Sequence, residues 1–289
     1  MPAGQPFTAL CQQIATLAAN GRADLHVHTT ASDGEYKPHQ VVEVAARLGL
    51  SAVGITDHDT MAGVAPARMA AGSKIDVIAG VEITAEECGR EVHLLGYFVR
   101  DDDAALATAL SDLRQQRRQR FLEMAERLRG CGAPIAPDIL DSVCGRESLG
   151  RRNLATMLCR SGQVGSVREA FDRYLSDGGP ADVPKVRLPL DRAIALVRGA
   201  GGVTSLAHPS ESLTFAQLSR LRDRGLQAVE ANYPTQRSAR SRELRDWAGK
   251  LHMAISGGSD CHGPDQPQRG IGCRGVTAAE LEALRKCIV

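Results

Sequence analysis

The chain has 289 residues, 43% hydrophobic and 24% charged, proportions that exclude a disordered, collagen-like or coiled-coil chain. Lys and Arg number 35 against 34 Asp and Glu, a formal charge of +1, far below the basicity of a general nucleic-acid coat protein. Aromatic residues make up only 3%, which excludes a large stacking platform for single strands.

Residues 1–20 carry Leu10, Ile14 and Leu17 at helical spacing, predicting a short N-terminal helical extension over 1–21. Residues 23–28 read as a strand that ends in polar side chains. Pro38 then opens a helix with Val41, Val42, Val44, Ala45 and Leu48 as its apolar positions and Gly49 as its stop. Residues 51–56 form the next strand, followed by an Ala-rich helix through Ala71 and two strands over 76–83 and 92–99. Strands alternating with helices predict a parallel sheet or barrel. The pattern changes at Asp101-Asp102-Asp103. From there to about Pro184 the segment reads as helical, with helices over 104–129, 151–162 and 167–175. Alternation then resumes with helices over 191–198, 215–224, 237–250 and 278–286 and strands over 202–207, 227–231 and 253–256. The expected organisation is α/β: one barrel built from residues 22–100 and 186–289, with a helical insertion over 101–185. The eight cysteines contain no C-x-x-C pair, so a structural zinc knuckle is not expected. Scattered thiols without an export signal predict reduced cysteines and a cytoplasmic location. No stretch approaches the roughly 20 apolar residues of a membrane helix.

Six clusters concentrate metal-binding residue types. Asp24-Leu25-His26-Val27-His28 places two imidazoles on one face of a strand end, because strand side chains alternate with period two. Surface histidines on a strand are the plain alternative. Thr56-Asp57-His58-Asp59 follows an apolar strand, where barrel enzymes gather reactive groups; an Asp-rich capping turn would look the same. Glu82 stands alone inside an apolar strand and needs a partner or a metal, because burying an unpaired carboxylate is costly. His93 lies in an apolar run, where a hydrogen-bonded core histidine is the commoner outcome. Ala207-His208-Pro209 again closes a strand. Gly257-Gly258-Ser259-Asp260-Cys261-His262-Gly263 sets an Asp and a His two apart beside flexible glycines. Six of the eight histidines fall in these clusters, leaving only His39 and His252.

The order His-x-His, Ser-Asp-Gly, Thr-Asp-His-Asp, Gly-x-Glu, His, Ala-His-Pro, Gly-Ser-Asp-x-His-Gly resembles the PHP (polymerase and histidinol phosphatase) superfamily of metal-dependent phosphoesterases, from about residue 22 to 275. Within it, the insertion is similar to that of the branch of 3′,5′-nucleotide bisphosphate phosphatases and 5′→3′ exoribonucleases. The resemblance implies a distorted (β/α)7 barrel with three divalent metal ions at the strand C-terminal ends. Carried over by motif, His26, His28, Glu82 and Asp260 would hold one ion, Glu82 with His93 and His208 the second, and Asp33, His58 and His262 the third. His26, His28, Glu82, His208 and Asp260 are the residues it places at the catalytic step. Mixed imidazole and carboxylate donors suit Mn, Zn or Fe without choosing between them; Mn is the expected ion, with Zn, Fe or Mg as alternatives.

Two positions depart from that branch. Its insertion motif reads Gly-Arg-x-His, where this chain has Gly150-Arg151-Arg152-Asn153; and Glu211 stands where an Arg usually follows the Ala-His-Pro turn. Arg151, Arg152, Asn153, Lys185 and Arg187 are the expected substrate contacts. Asp24, Asp57 and Asp59 are expected to orient ligand histidines. The implied reaction is hydrolysis of the 3′-phosphate ester of a 5′-phosphorylated nucleotide, either a bisphosphate such as pAp or a short RNA. Long duplexes, membranes and an obligate protein partner are not expected. A histidinol-phosphate-like monoester substrate, or a degenerate PHP domain serving as a binding module, are the competing readings. Metal analysis separates the last: protein purified with ample Mn is expected to hold at least about two ions per chain, as two-metal sites do, and a metal-free chain would be a module.

Overall fold

The computed structural model describes residues 22–143 and 145–288, so the expected N-terminal helix, Cys11 and Cys144 lie outside the described residues. The strands are β1 (Arg22–Val27), β2 (Ala52–Ile55), β3 (Asp76–Glu87), β4 (Arg90–Tyr97), β5 (Leu188–Pro189), β6 (Val203–Leu206), β7 (Ala228–Asn232), β8 (Ala254–Gly257) and β9 (Val276–Thr277). They form one sheet in the order β8-β7-β6-β4-β3-β2-β1-β9, with β5 attached to β3. The sheet curls until the chain beyond β8 meets the end of β1. There the Asp260 N–H donates to the His26 carbonyl at 2.7 Å and the His28 N–H to the Cys261 carbonyl at 3.0 Å. The result is a nearly closed barrel.

The pairs β1–β2, β2–β3, β6–β7 and β7–β8 are parallel, as expected. The barrel is not parallel throughout: β9 runs antiparallel to β1, and β4 runs antiparallel to both β3 and β6. At β4 the cause is local. Only Cys88 and Gly89 separate β3 from β4, both at positive φ (50° and 75°), the backbone of a two-residue hairpin turn. Reversal of β4 sets His93 opposite Thr84, so a residue in the first half of its strand lies at the end of the barrel where the parallel strands finish.

Helices α1 (Pro38–Arg47) and α2 (Val64–Ala71) cover one flank. They bury Val41, Val42, Ala45, Val64, Ala67 and Ala71 against Val53, Ile55 and Val77 of the sheet. Between β4 and β5 come α3 (Ala104–Gly130), α4 (Pro137–Asp141), α5 (Arg151–Arg160) and α6 (Val167–Ala170), the last continuing into a π-helical turn over Phe171–Leu175. Helices α7 (Leu190–Gly199), α8 (Phe215–Asp223), α9 (Ser238–Lys250) and α10 (Ala278–Arg285) complete the chain. Helix α3 belongs to two cores. Leu106, Leu110 and Leu113 pack with Leu94, Ile194 and Val197 of the barrel, while Phe121, Met124 and Leu128 pack with Leu154, Met157 and Leu158 in a separate cluster. Asp103 starts α3 by accepting from the Leu106 N–H at 2.9 Å, a standard N-cap.

Cys88, Cys131, Cys159, Cys261, Cys273 and Cys287 are free thiols. No helix among the described residues is long and apolar enough to cross a membrane.

Close approach of β1 and β2 depends on Gly54, where a Cβ would lie 2.7 Å from the Leu25 carbonyl oxygen and 2.9 Å from its Cα. Gly54→Ala is therefore expected to destabilise the protein by about 1–3 kcal/mol, the usual penalty for overpacking a tight interior, read as a lower urea midpoint at unchanged slope.

Candidate metal centre

The nine residues expected as ligands converge at the end of the barrel where the parallel strands finish. Glu82 is the hub. It is 1% exposed, and His26 Nε2, His28 Nε2, His58 Nδ1, His93 Nδ1 and His208 Nε2 lie 3.5, 3.3, 3.0, 2.8 and 3.0 Å from its two oxygens. Asp260 Oδ1 sits 3.1 Å from His28 Nε2 and 3.5 Å from His26 Nε2. At the far edge, Asp33 Oδ1 is 3.5 Å from His262 Nε2 and its Oδ2 is 4.0 Å from His58 Nε2. Most of these positions follow from a strand end. His26 and His28 close β1, His58 follows β2, Glu82 lies within β3, His208 follows β6, and Asp260 and His262 follow β8.

The electrostatics are those of anions and imidazoles confined together. Burial favours the neutral form of Glu82, but His58, His93 and His26 outweigh it and hold the carboxyl well below its ordinary range. Asp33 and Asp260 are lowered in the same way against burial, with His262 the foremost neighbour of each. Burial pushes His28 toward neutrality, yet Asp260 and Glu82 raise it to about 10; His93 is raised to about 9, with Glu82 again overriding burial. Burial wins at His262, lowered to about 4, and at His58. Protons on some of these imidazoles thus balance charge that metal cations would balance, and metal and proton compete for such sites.

The donor set fits divalent metals. His28 Nδ1 and Asp33 Oδ1 are buried without a hydrogen-bond partner, and His58 Nδ1, though 3.0 Å from Glu82, makes no hydrogen bond to it, an arrangement a native interior otherwise avoids. His26 Nε2 and His28 Nε2 face each other at 3.2 Å. Three overlapping groups each bring their ligand atoms within 4.8 Å of one another: His28, Asp33, His58 and His262; His26, His28 and Glu82; His58, Glu82 and His93. His28 and His58 each belong to two groups, so the sets are more intermeshed than the motif order suggests.

The orienting shell differs from expectation. Asp24, Asp57 and Asp59 contact no ligand ring. Asp57 accepts from the Thr29 N–H at 2.7 Å, the Thr29 hydroxyl at 2.7 Å and the Ser32 hydroxyl at 2.6 Å. Asp59 accepts from the Thr84 N–H at 2.8 Å and from Arg117. Asp24 accepts from the backbone N–H groups of Ser259 at 2.9 Å, Gly272 at 2.8 Å and His26 at 3.3 Å. The loops that leave the strands have N–H groups with no ladder partner, and these carboxylates satisfy them. Ring orientation falls to Glu230 of β7, which accepts from His26 Nδ1 at 3.0 Å and from the His208 N–H at 2.6 Å, and to the Asp260 carbonyl, which accepts from His262 Nδ1 at 2.9 Å. Glu230 was missed, although it carries the same signal as Glu82: a lone Glu in an apolar strand. Tyr233 was missed too; its hydroxyl donates to Asp260 Oδ2 at 2.8 Å, and Arg269 donates to the same oxygen. His208, Asp260 and Asp59 all hold positive φ, the strained backbone that gathers at functional sites.

The expected substrate contacts divide. Arg152 lies near enough to bear on both Asp33 and His262, and its Nε is buried without a hydrogen-bond partner. Lys185 and Arg187 both pair with Glu91, which also accepts from His93 Nε2 at 3.2 Å. Burial lowers Lys185 to about 8 against the pull of Glu91. Arg151 turns away to the Leu175 carbonyl and Asp177. Asn153 is 4% exposed and structural, accepting from the Gly150 N–H at 2.7 Å and donating to the Ser32 carbonyl at 3.4 Å. Glu211 pairs with Arg237 at the surface, 3.0 Å away, so its carboxylate already has a cation.

A barrel mouth carrying a dense His/Asp/Glu cluster defines a metal-dependent phosphoric ester hydrolase once relatives are considered. Residues 24–172 match the PHP domain, and the chain belongs to that family. It is 31% identical over 83% of its length to a 5′-3′ exoribonuclease of Escherichia coli K12, spanning 85% of that protein. It is 29% identical over 86% of its length to a 3′,5′-nucleoside bisphosphate phosphatase of Chromobacterium violaceum, spanning 90%. Among solved structures, a protein of Bifidobacterium adolescentis assigned as a metal-dependent phosphoesterase superposes with a TM-score of 0.86 at 30% identity, covering 92% of this chain and 96% of that one.

Glu230 orients His26 without being an expected ligand. Glu230→Ala is predicted to weaken metal binding by about 10–100-fold, the usual effect of removing an orienting partner, measured by titrating apoprotein with Mn and counting bound metal.

Proposed function

We propose that the protein hydrolyses the 3′-phosphate ester of nucleotides that carry a 5′ phosphate, releasing phosphate from a bisphosphate such as pAp or a mononucleotide from the 5′ end of short RNA. The observation that carries this reading is Arg152. Its charge acts on Asp33 and His262, its Nε is buried without a partner, and no carboxylate pairs with it among the described residues. A half-buried guanidinium with an unpartnered Nε, near enough to act on two residues of a phosphoesterase centre, suits an anion, and its planar fork matches phosphate. A 5′ phosphate held there would lay the 3′ phosphorus over the cluster. The names of the exoribonuclease and bisphosphate phosphatase relatives support the same substrate class.

Three divalent ions, Mn first, belong to this proposal, with His26, His28, Asp33, His58, Glu82, His93, His208, Asp260 and His262 as their ligands. Bound divalent metal supplies Lewis-acid polarisation and a lowered water pKa. In the net reaction the water oxygen bonds to phosphorus, the bond from phosphorus to the 3′ oxygen breaks, and that oxygen takes up a proton. The chain's own part is positional. Glu230 keeps His26 Nδ1 as a donor, leaving Nε2 for the cluster. Tyr233 and Arg269 occupy Asp260 Oδ2, leaving Oδ1 facing His26 and His28. Arg152 fixes the substrate, which converts binding into alignment at phosphorus. A cytoplasmic location, consistent with six free thiols, completes the reading.

Turnover of pAp, 5′-phosphorylated oligoribonucleotides, a ribose cyclic phosphate and a histidinol-phosphate-like monoester, each with Mn, tests it. Activity on the monoester or the cyclic phosphate with none on pAp or RNA would overturn it. Charged hydrogen bonds contribute about 1.5–3 kcal/mol, so Arg152→Ala should raise KM for pAp by about 10–100-fold and leave an analogue without the 5′ phosphate unaffected.

A further inference from the structure

Beside the cluster, at His93 and His208, the barrel wall opens into a cavity of about 590 Å³, within the range of small-molecule sites, about 300–1,000 Å³. His93 and His208, whose rings stand 5.0 Å apart, form its inner end. Val92, Leu206, Leu213 and Leu221 give it apolar walls, and Ser212 and Gln217 add polar groups. Its two carboxylates are already neutralised: Glu87 pairs with Arg224 at 2.6 Å, and Glu91 with Lys185 and Arg187. Arg90 and Arg220 line the same cavity and are exposed, and neither joins an ion pair among the described residues. The inner cavity is thus a poor phosphate site and a good one for an uncharged ring with a few donors and acceptors. Free cations stand only toward solvent.

We propose that, when the substrate is RNA, this cavity seats the nucleoside on the downstream side of the scissile phosphate. The assignment rests on the nucleotide reading above. With the 5′ phosphate at Arg152 and the phosphorus over the cluster, the chain beyond that phosphorus continues past His93 and His208 into the cavity. Its next phosphate then reaches Arg90 and Arg220. Water adds its oxygen to phosphorus, the bond to the upstream 3′ oxygen breaks, and that oxygen takes the proton. The downstream nucleoside keeps its bond to phosphorus through its 5′ oxygen, so the shortened product again bears a 5′ phosphate and is itself a substrate.

Filling the cavity tests this. Ser212 is exposed at its edge, so Ser212→Trp adds bulk without touching the core, and Val92→Phe adds bulk from a half-buried lining position on β4. The measurement is kcat/KM of each variant on pAp and on the dinucleotide pApA, with Mn. Both variants are expected to lose about tenfold or more on pApA, the scale on which a filled pocket discriminates, and to stay within about twofold of the parent on pAp. Equal loss on both substrates, or no loss on either, overturns the assignment while leaving the nucleotide reading intact. Parent protein that cleaves neither substrate overturns both.

Discussion

Everything at the mouth of the barrel turns on one buried carboxylate. Glu82 is withdrawn from water in the middle of β3, where an isolated anion would cost several kcal/mol. Five imidazoles from four different chain segments close around it. Because those segments are the ends of β1, β2 and β6 and the reversed β4, while Glu82 itself stands in β3, its position can be satisfied only when the barrel is nearly closed. Electrostatics and topology therefore specify each other: the sheet brings the histidines, and the anion gives them a common target. The same arrangement accounts for the unpartnered atoms of His28, Asp33 and His58, which suit cations more strongly charged than protons.

A second layer of buried carboxylates does not touch the centre but fixes the loops that do. Asp24 holds the end of β1 to the Ser259 and Gly272 segments. Asp57 gathers Thr29 and Ser32, which frame Asp33. Asp59 joins the turn after β2 to Thr84 of β3 and to Arg117 of α3. Each is fully buried and each accepts from backbone N–H groups, so the acidity of this region is spread over hydrogen bonds and does not compete with Glu82 for the imidazoles.

The helices between β4 and β5 extend the same layer. Arg146 donates to the carbonyls of Ser32 at 2.9 Å and Gly34 at 2.6 Å, and Asn153 to that of Ser32. The N–H groups of Glu147 and Ser148 donate to the Ala31 carbonyl, each at 3.0 Å. The loop bearing Asp33 is thus gripped from outside the barrel. Asn153, a departure from the related pattern, works as a fastener of this loop, and Arg152 next to it joins no ion pair among the described residues. Helix α3 makes the grip rigid, because its first half is packed into the barrel core and its second half into the helical one.

The sequence alone determined most of the strand-and-helix order, the helical interruption and eight of the nine candidate ligands, Asp33 entering only through the resemblance to the PHP superfamily. Those eight depend on local chemistry: period-two alternation, turn residues, and polar groups placed where apolar strands stop. It also carried, unread, the lone Glu230 in an apolar strand. What only the tertiary structure decided depends on contacts between distant segments. Nothing in the run around His93 says that β4 reverses; the two-residue turn at Cys88 and Gly89 does, and only the paired strands show that the reversal delivers His93 to Glu82. The roles of the cations were equally hidden. Arg151, Arg152, Lys185 and Arg187 read alike as basic residues, but Asp177 and Glu91 claim three of them and leave Arg152, whose charge acts on Asp33 and His262, without an ion pair among the described residues. Charge type is a property of the residue, whereas charge availability is set by which neighbour the fold brings within reach.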